Sequence, residues 1–151
     1  MTKPAKKASS DERKLAASLF NHVWDLIEKR SRTISENDEM IHAAHASRYH
    51  WGNVGKPVNL ARGEWQVSRV YAIQGRSEPA LYHARRSLQI CKDNGIGDFD
   101  LAFAYEALAR ASAVAGNRTD RAKYHKKAVD AADGIMDKDD RALLSKDLKT
   151  I

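Results

Sequence analysis

The chain has 151 residues but only one cysteine, three prolines and three phenylalanines, and no long apolar run. Each shortage excludes something. Cys91 has no second thiol to pair with, and it sits in the apolar pattern of "SLQIC", so a disulfide framework is excluded. No stretch approaches the roughly 18 apolar residues of a membrane-spanning helix. Few prolines and eight glycines leave room for long, uninterrupted elements. There is no Gly-x-Ser-x-Gly elbow, no phosphate-cradling glycine loop and no companion motif for Cys91. No cofactor is therefore expected. The pairs Asp98/Asp100 and Asp139/Asp140 read as acids at helix starts, and the "GIG" of 95–97 as a turn.

What is present is charge, and its location matters more than its size. The net charge is +6, yet residues 1–14 alone hold five basic and two acidic side chains. The rest of the chain, with 21 basic and 18 acidic groups, is nearly balanced. The basicity thus belongs in good part to an amino-terminal leader, expected to be disordered over residues 1–9, and a nucleic-acid partner is not expected. Residues 10–151 are expected to form one domain of a cytoplasmic protein.

Helix signals then fill the chain. Leu15, Leu19, Val23 and Leu26 make one stripe, and Ser10 with Asp11 and Glu12 supplies a cap and first-turn acids, so a helix is expected from about 10 to 31. Ser35 with Asp38 and Glu39 starts a second, which "WGNVGKP" ends. Pro57 opens a third running to Gly75, Ser77 a fourth to about Asp93, and Asp98 a fifth to near Gly116. A sixth is expected over about 119–134 and a short seventh from Asp137, with no strand anywhere.

Two of these helix pairs share one plan. Laying "SRVYAIQGRSEPALYHARRSLQIC" over "ARASAVAGNRTDRAKYHKKAVDAA" puts Arg69 on Arg110, Ala72 on Ala113 and Gly75 on Gly116. One extra residue then brings Tyr82-His83 onto Tyr124-His125. Val67, Ser68, Tyr71, Gly75, Ala80, Ala84 and Ser87, and then Tyr105, Leu108, Ala109, Gly116, Ala122 and Ala128, resemble the packing residues of the tetratricopeptide-repeat family. The resemblance covers about 58–133. It departs in lacking the usual proline between repeats and in placing Ser112 where tyrosine is commoner. It implies an all-α fold of about seven helices, with antiparallel pairs stacked as a short right-handed superhelix.

It also implies a function. In that family the first helix of each pair lines a concave groove for a protein or peptide. By this resemblance Arg62, Trp65, Arg69 and Ile73 face the groove from the third helix, and Phe103, Glu106, Arg110 and Val114 from the fifth. Arg69 and Arg110, at equivalent places in the two units, with Trp65 and Phe103 as apolar anchors, point to an acidic segment as partner. The end faces of so short a stack also favour self-association.

The histidines offer the competing reading. In "IHAAHASRYHW", residues 41–51, Asp38, His42, His45 and Tyr49 fall on one helical stripe, opposite Met40, Ala44, Ser47 and Trp51. Asp38, His42 and His45, with a residue from a neighbour, are the candidates for a metal or acid–base site in a small-molecule-binding protein or enzyme. The spacing of three, with alanines between, is not that of a zincin. The structural alternative is that both stripes are buried and the histidines are hydrogen-bonded inside the protein.

Overall fold

The structure, a computed structural model, describes the backbone of residues 6–151 and the side chains from Ser10 onward. Seven α-helices follow one another: α1 (Lys6–Ile27), α2 (Ile34–Val54), α3 (Pro57–Ile73), α4 (Ser77–Asp93), α5 (Asp98–Val114), α6 (Arg118–Ala132) and α7 (Lys138–Leu148). There is no strand among the described residues, and the expected all-α class holds. Residues 1–5 of the expected leader lie outside the described residues.

Local chemistry accounts for the ends. Helix α1 begins before Ser10, which is therefore an interior residue and not a cap, since nothing after Pro4 breaks the helix. It stops at Ile27 rather than about 31 because the Arg32 guanidinium turns back to the carbonyls of Leu26, Ile27 and Lys29 at 3.2, 3.3 and 2.9 Å. Thr33, not Ser35, caps α2. Its hydroxyl accepts from the Glu36 amide at 3.1 Å and the Glu36 carboxylate accepts from the Thr33 amide at 3.2 Å, a reciprocal box. Gly75 and Gly116 close α3 and α5 in the left-handed region, at φ +71° and +74°, where a side chain would be strained.

The helices pack as adjacent pairs, α1 with α2, α3 with α4, and α5 with α6, while α7 closes the end against α5 and α6. The first helices of the pairs also touch in succession: α1 meets α3, α3 meets α5, and α5 meets α7. Among the described residues the backbones of α2, α4 and α6 stay apart from one another, although the His45 ring of α2 reaches the His83 ring of α4. A two-layer stack whose one layer is in contact and whose other is splayed must curve, with α1, α3, α5 and α7 on the inside.

Close approach comes from small residues. Ala61, Ala80, Ala84, Ala102, Ala104, Ala107 and Ala111 are all buried at the helix interfaces. Three buried serines staple helix to helix by donating to backbone carbonyls: Ser47 to Ala16, Ser68 to Ala80 and Ser87 to Ala61, at 2.8, 2.8 and 3.0 Å. Each such bond contributes about 0.5–1.5 kcal/mol net. The apolar core itself is Val23, Met40, Val67 and Val70 at one end and Leu108, Ile135, Leu144 and Leu148 at the other.

Candidate functional site

On the inner side of the curve lies a cavity of about 700 Å³ lined by α1, α3, α5 and α7. Its apolar lining is a row of aromatic rings crossing three helices. Trp24 packs on Trp65 with centroids 5.4 Å apart, Trp65 meets Phe103 edge-on at 5.7 Å, and Phe103 meets Phe99 at 4.6 Å. Trp65 and Phe103 are buried and form the floor; Phe20, Trp24 and Phe99 are half-buried and form the walls. Exposed Glu28, Arg62, Leu143 and Lys146 stand at the mouth.

The row is held by one buried carboxylate. Glu106, fully buried on α5, accepts the Trp65 indole N–H at 3.0 Å on Oε2, and the guanidinium groups of Arg69 and Arg110 on Oε1 at 3.4 and 2.8 Å. Asp147 of α7 stands 3.8 Å from Arg69. Two cations and two carboxylates therefore balance at this wall, Arg69 and Asp147 lining the cavity and Glu106 and Arg110 lying behind it. Burial first, and then the neighbouring Arg110, pushes the Arg69 guanidinium below its usual range, while Glu106 and Asp147 hold it up.

The expected groove residues divide accordingly. Arg62, Trp65, Arg69 and Phe103 line the cavity. Glu106 lies behind its wall. Arg110 turns away toward the end of α7, donating to the Asp147 carbonyl at 3.1 Å and the Thr150 hydroxyl at 2.7 Å. Ile73 packs with the core of α1, α2 and α3 instead. Arg62 is engaged by Asp100 through two bonds, at 2.8 and 3.2 Å. The two arginines expected to greet an anion, Arg69 and Arg110, are thus both tied to Glu106, because Glu106 sits one turn before Arg110 and across from Arg69.

Sequence reasoning missed Phe20, Trp24, Phe99 and the α7 residues. The signal was there. Trp24, Trp65, Glu106 and Asp147 follow one another at intervals of 41 residues, so the repeat runs through all four inner helices.

The histidine stripe does not converge. Asp38 and His42 are exposed, and His45 alone turns inward, its Nε2 2.8 Å from the Tyr71 hydroxyl. The expectation that α2 buries both stripes, and His42 with them, is corrected: α2 is an outer helix with solvent along one side. His45 instead joins a polar cluster between α2, α3 and α4. There His83 Nδ1 is 2.6 Å and Arg48 Nε 3.1 Å from the buried Glu64 carboxylate, and the His45 and His83 rings lie 5.4 Å apart. Burial and the neighbouring His83 push His45 below its ordinary value. Burial would raise Glu64, but the His83 hydrogen bond and charge and then Arg48 leave it below the usual carboxylate range. Among the described residues no three His, Cys, Asp or Glu side chains are placed to hold one metal ion. His50, the third histidine of the stretch, pairs with Glu12 of α1 at 2.9 Å.

Compared with models of known protein families, with curated proteins and with solved structures, the chain matches none.

Proposed function

We propose that the protein is a cytoplasmic, tetratricopeptide-like interaction module whose concave inner face binds a peptide segment of a partner protein. The observation that carries this is the aromatic row of Trp24, Trp65, Phe103 and Phe99 along a cavity open to solvent. Rigid aromatic faces in a concave, partly desolvated setting are the usual anchors of recognition. The buried Glu106 network supports it by fixing the row's position without using the ring faces. The cytoplasmic placement rests on a lone, buried thiol. The acidic partner expected from the arginines is not carried forward, since Arg69 and Arg110 already share Glu106.

A selection of random peptides displayed against the full chain tests the reading, with a Trp24→Ala/Phe99→Ala variant as the control. These rings are wall residues, so the floor and the Glu106 network stay intact. Selected peptides should bind the variant at least about tenfold more weakly, the loss expected when two anchors are truncated. Replacing the exposed Tyr49 and Tyr82 of the outer helices should change nothing. Equal binding to chain and variant would remove the groove as the site.

A further inference from the structure

The charged groups around the cavity do not cancel evenly, and the remainder indicates what kind of segment fits. Arg62 is neutralised by Asp100, and Arg69 and Arg110 by Glu106 and Asp147. That leaves Glu28 in the turn after α1, Asp140 of α7 and Lys146 of α7 as lining residues whose charged side-chain groups have no hydrogen bond or ion pair among the described residues. Two carboxylates, one just past the end of α1 and one on α7, oppose one flexible lysine.

The surroundings of Asp140 deepen this imbalance. Its carboxyl is raised above the ordinary value, by partial burial first and then by the carboxylates of Asp137, Asp98 and Asp139, which together outweigh the opposing charge of Arg62. A carboxylate in such a field is stabilised by a cation brought close to it. The aromatic walls favour the same sign. Phe20, Trp24 and Phe99 present partly exposed rings, and the face of an aromatic ring attracts a cation within about 6 Å of its centroid.

We infer that the groove selects a partner segment carrying a lysine or arginine beside an apolar residue. The basic head meets Glu28 and Asp140, and its aliphatic stem and the apolar neighbour lie along Trp24, Phe99 and Leu143. This rests on the peptide-groove reading and specifies its ligand. A basic side chain suits the site in two parts, since its stem can cover apolar surface while its head remains near carboxylates and water. An acidic segment would bring its charge against Glu28 and Asp140 and would find Arg62, Arg69 and Arg110 already engaged.

The composition of the selected peptide pool, followed by affinities of one selected peptide and its charge-reversed copy, tests the inference on the full chain. The pool should be rich in Lys or Arg adjacent to apolar residues. Reversing the basic residue to Glu should weaken binding by at least about tenfold, and raising salt should weaken the basic peptide because the contact is partly exposed. Glu28→Gln and Asp140→Asn should each weaken the basic peptide about 3- to 10-fold and spare a neutral analogue, circular dichroism verifying that both variants fold. A pool enriched in Asp and Glu, still dependent on Trp24 and Phe99, would overturn the inference and leave the groove standing. Basic peptides indifferent to Glu28→Gln and Asp140→Asn would overturn it equally. A pool with no dependence on Trp24 and Phe99 would remove the groove itself, and the inference with it.

Discussion

The Trp65 indole N–H donates to Glu106 at 3.0 Å, and these two residues stand 41 positions apart, at the same place in successive helix pairs. A repeat that elsewhere puts like on like here puts a donor against an acceptor. Glu106 also receives Arg69 and Arg110, so its carboxylate joins α3 to α5 at the centre of the inner layer.

Removing that carboxylate should be costly. Glu106→Ala leaves two guanidinium groups without their shared partner in a buried place, and should destabilise the fold by about 3–5 kcal/mol. Urea denaturation at neutral pH reads the difference. A loss under about 1 kcal/mol would mean that water or Asp147 replaces Glu106 without penalty.

The Cys91 thiol should be nearly inert in the native protein. Burial, with Asp100 nearby, pushes its pKa up to about 11 from an ordinary 9.0. At pH 8 that leaves about 100-fold less thiolate than in the unfolded chain. A chromogenic thiol reagent should therefore react slowly with folded protein and rapidly in denaturant. Because the folded value is raised, this group lowers stability only as pH rises above about 9, and the effect is complete beyond about 11. Equal labelling rates with and without denaturant would show Cys91 to be accessible.

Acid should loosen the cluster between α2, α3 and α4 in two stages. The folded state holds His45 neutral, below its ordinary 6.5, so stability should decline as pH falls below 6.5. Glu64 is held below its ordinary 4.5, so the stability it contributes is present above 4.5 and is lost as pH falls through the lower folded value. His45→Gln keeps a polar partner for Tyr71 and should flatten the first stage. Glu64→Gln should flatten the second. Urea midpoints measured from pH 7 to pH 3 separate the two, and unchanged slopes in both variants would contradict the assignment.

Much of this architecture is legible in sequence because glycine and alanine carry geometric meaning. Gly75 and Gly116 mark equivalent turns, and both adopt positive φ. Ser68 and Ser87, legible as small packing residues, prove to be staples as well. The capping box of Thr33 and Glu36 was there to be read in "TISE", but Ser35 with its following acids offered a competing start. Arg110 and Glu106 are four residues apart on one helix, a pairing visible in advance; that Arg69 reaches the same carboxylate depends on how closely α3 and α5 approach. For α2 the pattern could not tell whether one side or both would be covered. Its less polar stripe, Met40, Ala44 and Ser47, is the buried one, and its outer position leaves Asp38 and His42 in solvent.

The central claim is that recognition happens on the inner layer, and nuclear magnetic resonance reads it most directly. Titrating a selected peptide into the labelled full chain should shift the resonances of Trp24, Arg62, Phe99 and Leu143, which line the cavity from α1, α3, α5 and α7. His42, Tyr82 and Lys126, on the outer helices α2, α4 and α6, should stay in place. Shifts confined to those outer residues, with the four cavity residues unmoved, would contradict the account.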